Sequence, residues 1–143
     1  MKNKLLIFAI LLATLLVSGY AKSGEFKVMD AWARPAASGD NGAVYFIISN
    51  ATDADDTLLS ASTDVASAAE VHMSMMDDNG VMSMQMQEAV AIPAKGQLEF
   101  KPGGLHVMFV GLNRDLKAGD TITLILLFKK AGEVAVQVEI KEH

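Results

Sequence analysis

Short segments rich in β-branched and aromatic residues alternate with turn residues along most of this chain. They recur about every eight to twelve positions, a spacing typical of a sandwich or barrel, and helical periodicity is nearly absent. We therefore predict an all-β fold. The predicted strands are Phe26–Arg34, Ala43–Ser49, Thr57–Ser62, Ala69–Met75, Val81–Gln87, Gln97–Lys101, His106–Gly111, Thr121–Phe128 and Glu133–Ile140.

The last two predicted strands differ in pattern. Apolar residues alternate with polar residues or alanine from Val134 to Ile140, which predicts a half-buried strand at an edge of a sheet. The run Leu124–Phe128 is apolar without interruption, which favours a strand covered on both faces, although a short buried helix fits the same pattern. The turn residues on either side of the run favour the strand.

The first 21 residues have the pattern of a secretory signal peptide. Lys2 and Lys4 form a positive end, the apolar run Leu5–Val17 follows, and small residues offer a cleavage site after Ala21. The apolar run is short for a bilayer span, so we expect cleavage and a mature domain, residues 22–143, that does not insert into a membrane. A retained N-terminal anchor is the alternative. In both cases the domain lies outside the cytoplasm.

Charge and length limit the possible partners and the domain count. Removal of residues 1–21 takes away two lysines and no acids, leaving ten basic and 17 acidic side chains and a formal charge of −7. Such a charge opposes binding to nucleic acid and to anionic lipid. The mature chain is long enough for one hydrophobic core and too short for two, so we expect a single domain.

The sequence contains no cysteine. This excludes cysteine nucleophiles, iron–sulfur clusters, cysteine-ligated copper centres and lipid attachment at the signal junction. No phosphate loop, dinucleotide fingerprint or Gly-x-Ser-x-Gly turn is present, and three histidines are too few for a catalytic triad with a spare base. We expect a binding protein, not an enzyme, and any soft-metal site must use methionine and histidine.

Methionine is concentrated in one segment. Six of the nine methionines lie within residues 73–86, directly after His72. Taken alone, such a run is best explained as a flexible apolar filler of cores and adaptable surfaces. The alternative is ligation, because thioether sulfur is a soft, neutral donor that suits Cu(I), and imidazole adds a stronger donor. Zinc favours cysteine, histidine and carboxylate, and calcium requires clustered oxygens, whereas the acidic residues here are scattered.

A second histidine is also followed by a methionine. His106 and Met108 are two positions apart in a predicted strand, so both side chains lie on one face of the sheet. Histidine and methionine together form a donor set suited to Cu(I). The sequence thus indicates an exported soft-metal binder.

The spacing of these residues resembles a family motif. His72-Met73, ten residues, Met84, twenty-one residues and His106-x-Met108 match the pattern of the PCu(A)C family of periplasmic copper chaperones. The resemblance extends over the mature chain, including the segments 30–35, 42–46 with Asn50, and 104–108. It implies a cupredoxin-like Greek-key β-sandwich and one solvent-accessible Cu(I) site. Carried over by position, the ligands are His72, Met84, His106 and Met108.

The same resemblance implies a cellular role. Members deliver copper for assembly of the Cu(A) centre of cytochrome c oxidase, so the expected partner is the Cu(A)-bearing subunit or another copper-assembly protein in the periplasm. Two alternatives stay open: a periplasmic storage or resistance protein that binds Cu(I) through the same ligands, and a structural β-sandwich with a methionine-rich contact surface and no metal. We also hypothesise that Met75, Met82 and Met86 serve as intermediate ligands during exchange.

The register of one predicted hairpin decides whether His72 and Met84 share a face. A two-residue turn at Asn79-Gly80, for which the sequence signal is strong, would pair Met75 with Met84 and place His72 and Met84 on opposite faces. A loop of three or five residues, such as 76–80, would set His72 directly across from Met84. We favour the longer loop, in which the side chains of residues 77–78 accept hydrogen bonds from backbone N–H groups.

Four further residues have simple interpretations. Met73 should face away from His72 in a regular strand, and only a bulge would reverse this. Trp32 is expected to fill the core or to cover the rim of the site, and Arg34 to pair with a carboxylate. His143, the last residue, is expected to be solvated. Some members of the family extend into a tail rich in histidine and methionine, but this sequence stops at Glu142-His143, so we expect no second copper site in a tail.

Overall fold

The computed structural model describes residues 24–143, so the predicted signal segment 1–21 lies outside the described residues. Ten strands follow one another along the chain. They are β1 Phe26–Ala33, β2 Gly42–Asn50, β3 Asp56–Ser62, β4 Ala66–Met76, β5 Met82–Met86, β6 Val90–Ile92, β7 Gly96–Phe100, β8 Leu105–Leu112, β9 Thr121–Phe128 and β10 Gly132–Ile140. In this part of the chain, no helix has the length and apolar character needed to cross a membrane.

The all-β prediction is confirmed, and all nine predicted strands are present within a few residues of their expected bounds. The prediction omitted β6, a three-residue strand that pairs with β3. Three residues are too few to show the alternation by which a strand is found in a sequence.

Seven strands close into a ring in the order β4–β8–β2–β1–β10–β9–β3. The ring is completed by the pairing of Ala61 in β3 with Ala69 in β4. Neighbouring strands are antiparallel except β1 and β10, which run parallel. The remaining strands β5, β6 and β7 lie beside β4, β3 and β2 and outside the ring.

The inner faces of the ring meet in one apolar core. Its largest fully buried side chains are Phe46, Phe100, Phe109, Phe128, Ile48, Leu58, Ile92, Leu116, Leu124, Leu126, Ile140 and Val44. Phe46 stacks on Phe100 with ring centroids 4.3 Å apart, and Phe26 meets Phe128 edge-on at 4.7 Å. Such pairs add about 0.5–1.5 kcal/mol each beyond the area they bury, so the aromatic residues contribute strongly to stability.

Two predictions about β9 and β10 are wrong. The alternation of β10 does bury Val136, Val138 and Ile140, but the strand lies between β1 and β9 and not at an edge. In β9 the even-numbered positions are buried, whereas Leu127 is 36% exposed, so only one face is covered. Within residues 24–143 no further layer covers this part of the ring, and the outward-facing leucine is therefore left partly in solvent.

A bulge in β1 determines the direction of Trp32. The pairing of β1 with β2 shifts by one residue between Met29 and Trp32, and Asp30 in between has a φ of 56°. A one-residue shift exchanges the two faces of a strand. Trp32 therefore lies opposite Tyr45 on the outer face and does not fill the core. This agrees with the predicted alternative that Trp32 covers the rim of the site.

Asp56 joins the start of β3 to the turn between β9 and β10. Its carboxylate is buried and accepts hydrogen bonds from the backbone N–H groups of Thr57, Lys130 and Ala131 at 2.7–2.9 Å. Burial raises the pKa of this carboxyl, but the three hydrogen bonds and the charge of Lys130 outweigh burial and hold the pKa below its usual value.

Candidate metal centre

Three adjacent strands, β5, β4 and β8, carry all four predicted ligands. Residues that pair across antiparallel strands point to the same face of the sheet. Met84 pairs with Ser74, His72 pairs with His106, and Met108 pairs with Glu70. Since residues 70, 72 and 74 of β4 share one face, the structure brings His72, Met84, His106 and Met108 to the same outer face.

The hairpin between β4 and β5 has a five-residue loop, 77–81, and not the tight Asn79-Gly80 turn. The Asp77 side chain accepts hydrogen bonds from the N–H groups of Asn79 and Val81, each at 2.9 Å, as predicted for a longer loop. Gly80 adopts a φ of 78°, which glycine tolerates without strain.

The expected register of this hairpin is wrong by two residues. β4 continues to Met76, which pairs with Met82, so His72 lies across from Met86 and not from Met84. Met84 is instead diagonal to His72. A displacement of two residues preserves the face, and the two side chains therefore share it despite the error in the predicted loop.

His106 presents one free nitrogen to this face. Its Nδ1 lies 3.1 Å from the carbonyl oxygen of Gly104, and the residue is only 3% exposed. A carbonyl oxygen only accepts hydrogen bonds, so Nδ1 carries the proton and the lone pair of neutral His106 is on Nε2. The same carbonyl accepts a hydrogen bond from the N–H of Ser74 at 3.1 Å, which ties the ring orientation to the pairing of β4 with β8.

His72 is oriented in the opposite sense. Its Nε2 lies 2.8 Å from Oε2 of Glu70, and a carboxylate accepts the Nε2 proton. The lone pair of neutral His72 is therefore on Nδ1, which is buried and has no hydrogen-bond partner among the residues that the structure describes. A buried nitrogen without a partner costs about 1–3 kcal/mol, and coordination of a cation would recover that cost. A carboxylate behind a ligating imidazole is also the usual arrangement in metal sites.

The two imidazoles are close enough to share an ion. Their ring centroids are 5.9 Å apart, and the planes are inclined by 40°. Each ring has one protonated nitrogen held by an oxygen acceptor, so each has one lone pair left. The site thus offers two nitrogen donors whose tautomers are already set by their neighbours.

A cavity of about 250 Å³ opens beside His106. Its lining residues are Arg34, Pro35, Ala36, Asn41, Gly42, Ala43, Tyr45, Met84, His106 and Met108. Met84 belongs to β5, two strands away from His106, and is one of these lining residues. Ser74 of β4 pairs with Met84, and Gly104 accepts a hydrogen bond from the Ser74 N–H. Both intervening residues are small, which leaves space for the methionine side chain to lean across β4.

The other methionines of the segment divide between the two faces. Met73 and Met75 pair with Gln85 and Ser83 and lie on the opposite face from His72, as strand alternation predicts for Met73. The hypothesis that Met75 assists ligand exchange is therefore not supported by its position. Met82 and Met86, by contrast, share the face of Met84.

Aromatic side chains continue this face toward β1. Tyr45 lies 6.5 Å from His106 and 4.8 Å from Trp32 between ring centroids, and His143 stacks on Trp32 at 4.4 Å. The guanidinium carbon of Arg34 is 5.6 Å from the centre of the Trp32 ring. Within residues 24–143, Arg34 forms no ion pair, so the expected carboxylate partner is replaced by a cation–π contact.

Sequence reasoning missed Glu70 and Tyr45. Glu70 precedes His72 by two positions in a predicted strand, so alternation alone would have placed it on the ligand face. Tyr45 is brought there only by the pairing of β2 with β8, which a single sequence does not reveal. Among the described residues, no group of three or more histidine, aspartate or glutamate side chains is arranged to hold a metal ion.

Residues 26–140 match the family model described as "Putative lipoprotein LpqE-like". This match spans β1 to β10. The chain belongs to the LpqE-like family. Another relative of this LpqE-like protein is "Putative lipoprotein Lxx21020" of Leifsonia xyli subsp. xyli (strain CTCB07), which is 28% identical over 81% of this chain and 69% of that protein.

Solved structures similar to the LpqE-like protein are PCuAC domains. The copper-bound PCuAC domain from PmoF2 superposes with a TM-score of 0.69 at 22% identity, covering 85% of this chain and 96% of that one. The solution structure of CuI-DR1885 from Deinococcus radiodurans has a TM-score of 0.61 at 29% identity, covering 86% and 83%. The PCuAC resemblance and the cupredoxin-like fold that it implied are confirmed.

Proposed function

We propose that this LpqE-like protein is an exported metallochaperone that binds one Cu(I) ion through His72, Met84, His106 and Met108 and passes it to an acceptor protein. The observation that supports this proposal is that His72, Met84, His106 and Met108 lie on one outer face, with the two imidazole centroids 5.9 Å apart. The Nδ1 of His72 adds support, because it is buried and has no hydrogen-bond partner among residues 24–143.

The donor set selects the metal. Thioether sulfur is soft and neutral, and with imidazole it favours Cu(I) over zinc, which prefers thiolate and carboxylate, and over calcium and magnesium, which require oxygen. Two solved relatives hold copper, the copper-bound PCuAC domain from PmoF2 and CuI-DR1885. Both support Cu(I) as the cargo of this chain.

The exposure of the site favours transfer over storage. Met84 is 60% exposed, whereas His106 is 3% exposed, so the sulfur side of the site is open to solvent and the imidazole side is enclosed. An acceptor can approach from the methionine side and replace the thioethers one at a time while the imidazoles hold the ion. Copper stays Cu(I) throughout this ligand exchange, and no electron is transferred.

The acceptor we propose is the Cu(A)-bearing subunit of cytochrome c oxidase in the periplasm, with residues 1–21 directing export. The PCuAC resemblance supports this choice. A storage or resistance protein would bind Cu(I) through the same ligands and would differ only in having no acceptor. The role is one of binding and transfer, without catalysis of a covalent reaction.

Copper binding is tested by titrating purified protein with Cu(I) under anaerobic conditions against a chromophoric chelator. We expect one tightly bound ion with nitrogen and sulfur ligation in X-ray absorption spectra. The double variant His106→Ala/Met108→Ala should lose this ion, while the matched variant His143→Ala/Met29→Ala should keep it. Full affinity in the first variant, with an unchanged circular dichroism spectrum, would refute the ligand assignment.

Transfer needs a separate measurement. The Cu(I)-loaded protein is mixed with the soluble Cu(A) domain of an oxidase, and the copper content of each is determined after separation. Movement of copper to the apo domain supports delivery. Retention of copper by the loaded protein, despite a tighter affinity of the acceptor, would favour the storage role.

A further inference from the structure

The free end of the β4–β5 hairpin brings two methionines together. Met76 and Met82 are directly paired across the two strands. The neighbouring pair is joined by a hydrogen bond from the N–H of Asp77 to the carbonyl oxygen of Val81, 3.0 Å long. Hydrogen-bonded and non-hydrogen-bonded pairs alternate in an antiparallel ladder, so Met76 and Met82 form a non-hydrogen-bonded pair, whose Cα atoms approach to about 4.5 Å.

A third methionine completes this group. Met84 follows Met82 by two positions and lies on the same face, about 6.5–7 Å further along the strand. Met76 and Met84 are diagonal neighbours, a separation that long side chains bridge. Three thioether sulfurs on long, unbranched side chains are thus grouped on one face at the end of the hairpin.

Packing gives no reason for these three residues. Met76, Met82 and Met84 are 67%, 52% and 60% exposed, and every residue of β5 is exposed. Large apolar side chains exposed together are unusual in a soluble domain and mark a site of interaction. Methionine side chains are unbranched and have three rotatable bonds, so exposed sulfur atoms can rearrange around a small ion without a change of the backbone.

We propose that Met76, Met82 and Met84 form a second, weaker Cu(I) site made only of thioether sulfur. Three neutral soft donors suit a monovalent soft cation and exclude zinc, calcium and magnesium. The carboxylates of Asp77 and Asp78 in the adjoining loop add a weak attraction for a cation. The absence of imidazole makes this site weaker than the one that contains His72 and His106.

Met84 links the two sites, and this part of the inference rests on the proposed function. An ion held by the three methionines can keep its bond to the Met84 sulfur while Met76 and Met82 leave and the histidine nitrogens enter. Thioethers carry no proton and each neutral histidine already has a free lone pair, so the exchange releases no proton. The hairpin end would then be a transient binding site through which Cu(I) enters or leaves the main site.

Methionine methyl resonances report on this site directly. The purified protein, labelled with 13C at the methionine methyl groups, is titrated with Cu(I), and with Ag(I) as a redox-stable substitute. The first equivalent should shift the signals of Met84 and Met108. The second should shift Met76 and Met82 and change the Met84 signal again, because Met84 belongs to both sites. Sharing of Met84 and the lack of imidazole should make this affinity about tenfold weaker. Equal shifts of Met75, Met76, Met82 and Met86 would show unspecific binding and overturn the proposal.

Two variants separate this inference from the proposed function. Met76→Leu/Met82→Leu preserves side-chain volume and should lose the second equivalent while binding the first unchanged; the matched control is Met29→Leu/Met75→Leu, in which both methionines lie outside the group. His72→Ala/His106→Ala disables the main site and should still bind one ion with shifts at Met76 and Met82. Failure of the histidine variant to bind any ion there would overturn the second site, whatever the main site does.

The rate of copper transfer tests whether Cu(I) passes through the second site. Copper transfer from the Met76→Leu/Met82→Leu protein to an acceptor should be several-fold slower than from the control variant, at equal affinity of the main site. Equal transfer rates would show that Cu(I) does not pass through the hairpin site on its way to the acceptor.

Discussion

Strands β9 and β5 use apolar residues in opposite ways. In β9, Ile122, Leu124, Leu126 and Phe128 are at most 3% exposed and form part of the core, whereas all residues of β5 are exposed, including three methionines. Burial is what makes an apolar residue contribute to stability. The comparison shows that β9 contributes its apolar residues to the core, whereas β5 leaves its methionines in solvent beside β4, a strand of the closed ring.

The largest expected effect is on the core side. Leu124→Ala should lower the free energy of unfolding by about 2–5 kcal/mol, because it removes fully buried methyl groups and leaves a cavity. Urea unfolding followed by circular dichroism measures the change. Leu127→Ala, in the same strand but facing outward, is the matched control and should cost far less. Similar losses in both variants would contradict the one-sided burial of β9.

Asp56 gives the next largest effect, and it depends on pH. Asp56→Ala should cost about 1.5–3 kcal/mol at neutral pH, since a charged acceptor of three backbone N–H groups is lost. The pKa of Asp56 is lowered in the folded protein, so its charge stabilises the fold above the unfolded pKa near 4, and this contribution disappears as pH falls through the folded pKa.

Urea unfolding of both proteins over a pH series checks this prediction. The difference in unfolding free energy between them should shrink on acidification. Asp53→Ala, an exposed carboxylate paired with Lys95, is the control and should change stability little at any pH. A difference that grows toward acid pH would reverse the assigned sign.

Glu70 should affect the Cu(I) affinity of the candidate site, because it orients His72. Glu70→Ala removes the acceptor that fixes the His72 tautomer, and loss of such a partner typically lowers metal affinity 10–100-fold. Competition with a Cu(I) chelator measures the affinity. Glu88→Ala, which removes an exposed carboxylate after β5, should leave it unchanged. Equal affinities for both variants would show that Glu70 has no orienting role.

Ser74 tests whether Met84 must cross β4. Ser74→Leu places a bulky side chain between Met84 and His106 and should weaken Cu(I) binding about tenfold, equivalent to about 1.4 kcal/mol. Ser83→Leu makes the same change on the opposite face of the hairpin and should have no effect on affinity. Unchanged binding in Ser74→Leu would mean that Met84 reaches the ion by another route.

The smallest expected effect is the change in stability caused by a substitution of Met84. Met84→Leu keeps the size of an exposed side chain, so the free energy of unfolding of the metal-free protein should change by less than about 0.5 kcal/mol. The same variant should bind Cu(I) more weakly. A large loss of stability without metal would show that β5 takes part in folding after all.

Much of the fold was predictable because strand alternation and turn residues are local features. Prediction from the sequence fails where the burial or position of a strand depends on which other strands lie beside it. The run Leu124–Phe128 reads as buried on both faces, but whether a second layer covers Leu127 depends on the whole topology. The place of β10 between β1 and β9 likewise follows from a parallel pairing with β1, which no local pattern encodes.

The candidate site was predictable in part for the same reason. The His106 and Met108 pair needs only the two-residue period of a strand. The relation of His72 to Met84 depended on the loop between them, where hydrogen bonds of the Asp77 side chain prevailed over the local preference of Asn79-Gly80 for a tight turn. The free nitrogen of His72 could not be predicted from the sequence, because it depends on where Glu70 places its carboxylate in the folded protein.

The position of β5 outside the closed ring has a consequence for how this protein changes over generations. Substitutions in a ring strand are filtered by whether the chain still folds, while those in β5 are filtered almost only by what the surface then binds. New donor residues can therefore be tried in this strand, and old ones lost, at little risk to the domain. Differences in metal preference among related domains are expected to accumulate in β5 before they reach β8.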